Sequence, residues 1–150
     1  MDTPELRIRR ARRLDFTAVM RLLAGAVVGA DRRTLRRYRT IVADLGADLY
    51  VAEVDGEIAG VIHATYVRQL GGGQRGRIED LAADPQRPGL GIEKALLDFI
   101  LARARKRSCS ALSCVPASEE AGTVARTAGL KPHRTEYGCE LATRESGEQV

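Results

Sequence analysis

The 150 residues contain no tryptophan, only four tyrosines and two phenylalanines, and lysine only at Lys94, Lys106 and Lys131. So few flat rings offer little for bases to stack on, and no nucleic-acid fold motif accompanies the charge, so nucleic acid is not the expected partner. The three cysteines, Cys109, Cys114 and Cys139, form an odd set without C-x-x-C spacing. Neither a disulfide framework nor a zinc site is indicated, no metal is expected, and the thiols read as small apolar side chains. No apolar run approaches the roughly 20 residues that span a bilayer, and the start, Met1-Asp-Thr-Pro-Glu, has no signal-peptide character. A cytoplasmic protein without a membrane partner is expected.

A content of 44% hydrophobic and 29% charged residues is that of a globular protein, and the length suits one domain over residues 1–150 with a sizeable core. The net charge of +4 comes almost wholly from arginine, clustered at Arg7-x-Arg9-Arg10-x-Arg12-Arg13 and Arg32-Arg33-x-x-Arg36-Arg37-x-Arg39. Such an excess suits an anionic ligand, an acidic partner or simply a solvated face.

The chain is organised around residues 77–99. An apolar run, Ile78 to Ala83, enters a turn at Asp84-Pro85, passes Pro88, Gly89 and Gly91, and leaves as the helix-patterned Ile92-Glu-Lys-Ala-Leu-Leu-Asp-Phe. A strand thus hands over to a helix through a glycine-containing loop. Glycine lets backbone approach an anion, and the first helical turn offers unpaired N–H groups and the positive end of the dipole, a junction that suits phosphate.

Before it, Leu6 to Ala11 alternates like a half-buried strand, and Asp15 stands as an N-cap ahead of Phe16, Val19, Met20, Leu22 and Leu23 at helical spacing. Gly29-Ala-Asp31 breaks the pattern. Asp31 then caps a second helix carrying Leu35, Tyr38, Ile41, Val42 and Leu45, with Gly46 as its stop. Asp48–Val54 and Glu57–Val67 are β-rich runs joined by Asp55-Gly56, a type I′ hairpin signal. The Gly-rich stretch after Leu70 carries no lysine and reads as a linker or hairpin loop. The helix from Ile92 extends to about Arg105, and Ser110–Val115 reads as a buried strand ending at Pro116. Ser118 caps a last helix that stops at Gly129, a final strand passes through Tyr137–Leu141, and Ala142–Val150 form a tail.

D-P-Q-R-P-G-L-G-I-E-K-A-L-L resembles the signature loop of the GNAT superfamily of acyl-CoA-dependent N-acetyltransferases, commonly D-P-x-x-(R/Q)-G-x-G-x-(G/A)-x-x-L-L. Asp84, Pro85, Gly89, Gly91, Ile92, Leu96 and Leu97 fall on it without a gap; Pro88 replaces the usual Arg or Gln and Glu93 the usual Gly or Ala. V-A-E-V-D-G-E-I-A-G-V is also typical of the family, and residues 118–130 resemble its closing segment, N-x-x-A-x-x-x-Y-x-x-x-G-F. There Ser118 stands for Asn, Leu130 for Phe, and Ala125 at the tyrosine position. The likeness spans about Ile8 to Leu141.

The resemblance implies an α/β GNAT fold: one mixed central sheet of about six or seven strands, helices on both faces, and a splayed strand pair forming the CoA cleft. It implies transfer of an acetyl group from the cosubstrate acetyl-CoA to a primary amine of a small molecule or protein by direct attack. The alternative is a catalytically degenerate GNAT domain acting as a regulatory or interaction module. Backbone of Leu81, Ala82 and Ala83 would hold the pantetheine arm and supply the oxyanion donor. Gly89, Leu90, Gly91, Ile92 and Glu93 would surround the pyrophosphate, with Arg87, if it turns inward, making up for Pro88, and Ser118 would complete the cofactor set. Glu79 is the candidate base. Asp80 would lie on the opposite face of a regular strand, so only one of the two can serve. With Ala125 unable to protonate sulfur, Tyr137, Tyr66 or a water must act as acid. His63, mid-strand in an apolar run, reads as an interior histidine. A homodimer is common in the family.

Overall fold

The structure, a computed structural model, describes residues 3–24 and 31–142. The break at Gly29-Ala30 and residues 143–150 of the expected tail lie outside the described residues. Five strands make one sheet in the order β1 (Leu6–Arg10), β2 (Asp48–Val54), β3 (Glu57–Arg68), β4 (Gln74–Ala83), β5 (Cys109–Cys114). Neighbours are antiparallel except β4 and β5, which run parallel through the crossover helix α3 (Ile92–Lys106), so the sheet is mixed. The helices α1 (Phe16–Ala24), α2 (Arg32–Ala43) and α4 (Glu119–Thr127) and a single 3-10 turn, Arg13–Asp15, complete the described elements.

Alternation along the strands divides the core in two. Ala52, Val54, Ile62, Ala64 and Ile78 pack against Ile92, Leu96, Leu97 and Ile100 of α3, with Val124 of α4 and its C-cap Ala128 at the margin. Val51 and Val61 pack on the other face against Phe16, Val19 and Tyr38, with Met20, Leu35 and Ile41 beside them. The two faces of the sheet are thus both covered by helices.

Local chemistry sets the connections. Asp55 and Gly56 have φ of 51° and 83°, the double left-handed turn that closes a two-residue hairpin in step with strand twist. Gln69–Gly73 close the β3–β4 hairpin, with Gly72 N–H donating to Gln69 O at 3.0 Å. Asp31 caps α2 by accepting from Thr34 N–H at 2.7 Å. Asp15, expected to cap α1, instead turns back to the Arg12 N–H and takes the Arg9 guanidinium through two hydrogen bonds. Gly129 lets the Leu130 N–H return to Ala125 O and its own N–H to Arg126 O, the Schellman closure of α4.

Two further expectations are corrected. Among the described residues the sheet has five strands rather than six or seven, because residues 130–142 form no strand; Tyr137 and Leu141 are 92% and 80% exposed, so the alternation that suggested one packs on nothing. The second helix stops at Ala43 rather than running through Leu45 to Gly46: Asp44 turns extended, its carboxylate accepts from the Gly46 N–H, and Leu45 is exposed.

Candidate active site

β4 pairs with β5 from Gln74↔Cys109 to Ile78↔Cys114 and no further. Val115-Pro116 follow β5, and proline has no N–H for a ladder, while β4 continues to Ala83 against β3 alone. From Glu79 to Ala83 the edge that faced β5 is therefore without a strand partner among the described residues. Leu81 and Ala83 pack towards α3 and Ala82 towards the α1/α2 face, so the side chains are committed to the two cores and the backbone edge is what the site offers.

Beyond Ala83, the Asp84 N–H is tied to Ala59 O at 2.8 Å, and its carboxylate accepts from Gln86 N–H at 2.9 Å, which fixes the start of the loop. Gly89 and Gly91 take φ of 77° and 64°, conformations that side chains resist, and no atom beyond the adjoining residues lies within 4 Å of where a Cβ on either would sit. Gly91 caps α3 without a side chain to offer. The backbone N–H groups of residues 89–94 meet no acceptor among the described residues; the first that does is Ala95, donating to Gly91 O at 2.9 Å. Open space, free N–H groups and the positive end of a 15-residue helix make a cradle for a phosphate.

Both unusual loop residues sit at this cradle. Pro88 is exposed and supplies no N–H; Glu93, half-buried in the first turn of α3, makes no hydrogen bond or ion pair among the described residues. Arg87 does not turn inward. Its guanidinium binds Glu57 on the β2–β3 hairpin and lies 3.8 Å from Asp84, which overturns the compensating role foreseen for it. α3 is seated there by Gly60: a Cβ at that position would lie 2.5 Å from Ile92 Cγ2.

At the other end of the unpaired edge the register slips. His63 faces Asp80 and Ala64 faces Ile78, leaving Glu79 as an extra residue in a β-bulge. The bulge breaks the alternation expected of a regular strand. Glu79 accepts from Thr65 Oγ1 at 2.9 Å and Asp80 lies 3.1 Å from His63 Nδ1, and Thr65 and His63 share the β3 face with Val61 of the α1/α2 core. Both carboxylates therefore occupy one face, and the expectation that Asp80 points away is corrected. His63 is buried with Nε2 unpartnered. Arg77 Nε lies 3.7 Å from Glu79 and its Nη1 donates to Glu136 at 2.9 Å, which brings the segment carrying exposed Tyr137 to β4.

The model of the acetyltransferase (GNAT) family matches residues 12–129. The chain belongs to the GNAT acetyltransferase family. No curated protein matches the sequence significantly. Similar solved structures include a transcriptional regulator from Bacillus halodurans C-125, 23% identical with a TM-score of 0.81, covering 91% of this chain and 100% of that one. An acetyltransferase from Trypanosoma brucei is 22% identical with a TM-score of 0.77 over 91% and 100% of the two chains. A "predicted acetyltransferase with acetyl-CoA" from Clostridium acetobutylicum is 18% identical with a TM-score of 0.72 over 92% and 96%. At these identities the likeness is one of fold.

The remaining residues expected of a GNAT site fall as follows. Ser118 caps α4, accepting from Ala121 N–H at 3.1 Å, and borders an open groove of about 420 Å³ lined also by Pro116, Glu119 and Arg126. Ala125 is buried on α4. Tyr66 is withdrawn as an acid: its hydroxyl donates to Asp48 at 2.6 Å on the α3 side of the sheet, where burial and then that carboxylate push its pKa well above the usual phenol range. Asp48, which the sequence did not single out, has no exposed surface. Burial alone would raise its pKa, but hydrogen bonds from Arg103, Tyr66 and Arg107 hold it below the ordinary carboxylate range. Among the described residues no group of acids, histidines and cysteines is arranged to hold a metal, and no helix is long and apolar enough to cross a membrane.

Proposed function

We propose that this GNAT protein transfers an acetyl group from acetyl-CoA to a primary amine by direct attack. The observation that carries the reading is a pair of unused backbone stretches, the free edge of Glu79–Ala83 and the N–H groups of residues 89–94, joined by a loop that Asp84 holds in place. An extended pantetheine arm would add to that edge as a strand does, and the diphosphate would meet N–H groups already free of acceptors. The thioester, when bound, supplies an activated acyl carbon with a tolerable leaving group. The ammonium first gives one proton to a carboxylate on the bulge face; the freed amine forms the C–N bond as the C–S bond breaks, its second surplus proton leaves to solvent, and the departing thiolate takes a proton from Tyr137 or solvent. Backbone N–H near Leu81–Ala83 would face the developing oxyanion.

A buried methyl at Ala125 cannot protonate sulfur and the Tyr66 hydroxyl is committed to Asp48, which leaves solvent or exposed Tyr137 as the source of that proton. A missing general acid slows such a reaction by the order of 10²–10⁴ without forbidding it. Pro88 removes one hydrogen bond to a charged group, which costs about 1.5–3 kcal/mol, so binding should be roughly tenfold to a hundredfold weaker than with a donor there. These same residues, with Arg87 turned towards Glu57, favour a second reading: a degenerate GNAT domain that binds acyl-CoA weakly and acts through a partner. Release of free thiol from acetyl-CoA across a panel of small amines and lysine peptides separates the two. Amine-dependent release supports transfer; acetyl-CoA binding without release supports the second.

A further inference from the structure

Two carboxylates share the bulge face, and their partners set them apart. Glu79 is held at Oε1 by the Thr65 hydroxyl and lies beside Arg77, a cation bridged onward to Glu136. Asp80 has one hydrogen-bond partner, His63 Nδ1 on Oδ2, while Oδ1 meets none among the described residues and the side chain is 45% exposed. An ionised carboxylate can only accept, so the proton of that contact belongs to Nδ1. Nε2 is then the bare nitrogen. It is buried and unpartnered, so a second ring proton there would have no acceptor and the ring cannot itself reach an amine. His63 is fixed by β2 on one side, opposite Leu49, and by β4 on the other. What the contact with His63 does is hold Asp80 at Oδ2 and leave Oδ1 without a partner among the described residues. Arg77 and Glu136 are the charged groups linked to Glu79; of the helices on this face, α1, which packs on β3 and β4, carries exposed Arg21, and α2 carries Arg32, Arg33, Arg36, Arg37 and Arg39.

We propose that Asp80, positioned by the Nδ1–H of His63, takes the proton from the acceptor ammonium, and that Glu79 supports the bulge rather than acting as the base. The assignment rests on the acetyltransferase reading. As the amine is freed, its proton moves to Asp80 Oδ1, the Nδ1–H stays on Oδ2, and the nitrogen lone pair becomes available for the C–N bond; the proton later leaves to water.

Steady-state kinetics with acetyl-CoA and an accepted amine tests this on Asp80→Asn, Glu79→Gln, His63→Phe and His63→Asn, the last keeping an N–H donor close to the Nδ1 position. Asp80→Asn is expected to lower kcat by the order of 10²–10⁴ with the KM for acetyl-CoA unchanged, and Glu79→Gln by about tenfold or less. His63→Phe should lower kcat by roughly tenfold or more at unchanged acetyl-CoA KM, and His63→Asn should recover most of the loss. Asp80 and Glu79 are partly exposed, so that pair decides even where a His63 variant folds poorly. A large loss in Glu79→Gln with Asp80→Asn near wild type overturns the assignment, and equal losses in the two His63 variants leave His63 as packing alone. If the wild type releases no thiol with any amine, the acetyltransferase reading fails and the assignment with it; if it turns over and Asp80→Asn matches it, only the assignment fails.

Discussion

At the C-terminal end of α3, Arg103 and Arg107 close onto Asp48 at 2.9–3.1 Å, joined by the Tyr66 hydroxyl, with the Arg107 guanidinium lying 4.4 Å over the Tyr66 ring. At the N-terminal end, the N–H groups of residues 89–94 meet no acceptor among the described residues, and an acidic side chain stands beside them unpaired. One helix thus has an end whose charges are paired within the fold, with only Arg107 Nε left over, and an end whose backbone N–H groups are free. Electrostatics at the first should govern stability and at the second ligand binding, and substitutions can be chosen to move one without the other.

The largest effect is expected at Asp48. Asparagine there strands Arg103 and Arg107, whose charges sit in a part-buried cluster, and should cost about 3–5 kcal/mol in chemical denaturation while the folded fraction keeps its acetyl-CoA affinity. A parallel loss of affinity at full folding would break the separation of the two ends. The same carboxylate gives a pH test. Its folded pKa is depressed, so its contribution is present at neutral pH and is lost as pH falls below about 4 towards the folded value. Wild-type stability should therefore fall more steeply over that range than that of Asp48→Asn.

Gly60→Ala probes the seat of the open end. The added methyl would meet the Ile92 and Leu96 side chains, 2.5 Å and 3.0 Å away, so these, or the turn of α3 that carries Ile92, must give way. Overpacking of this kind costs about 1–3 kcal/mol, and acetyl-CoA affinity should fall along with thermal stability because the cradle moves with the helix.

Glu93→Ala sharpens the comparison most, although its effect is the smallest. An acid in the first turn supports the helix dipole by about 0.3–1 kcal/mol, so its removal should lower stability slightly. Removing a negative charge from a diphosphate cradle should at the same time tighten acetyl-CoA several-fold, more at low salt than at high. Calorimetry at two ionic strengths beside a melting curve reads both signs. A variant that loses stability without gaining affinity would mean that Glu93 does not face the ligand.

What could be read from the sequence was what neighbouring residues decide. Asp55-Gly56, the Asp31 and Ser118 caps, and the strand-to-helix junction at Gly89 and Gly91 rest on local chemistry, and the structure places each as expected. Features set by register or by distant partners were not legible. The bulge that brings Glu79 and Asp80 to one face arises where β4 slips against His63 and Ala64, and Asp48 meets guanidiniums 55 and 59 residues away. The alternation of Tyr137, Cys139 and Leu141 was a real pattern with no surface to bury it.

Isothermal titration of the wild-type protein with acetyl-CoA, backed by a thermal-shift series, tests the central claim most directly. The open end of α3 and the free edge of β4 predict a measurable binding heat and a concentration-dependent rise in Tm, weak enough to need ligand well above the protein concentration. No heat and no shift at millimolar acetyl-CoA would contradict the account and leave the GNAT fold without its cosubstrate site.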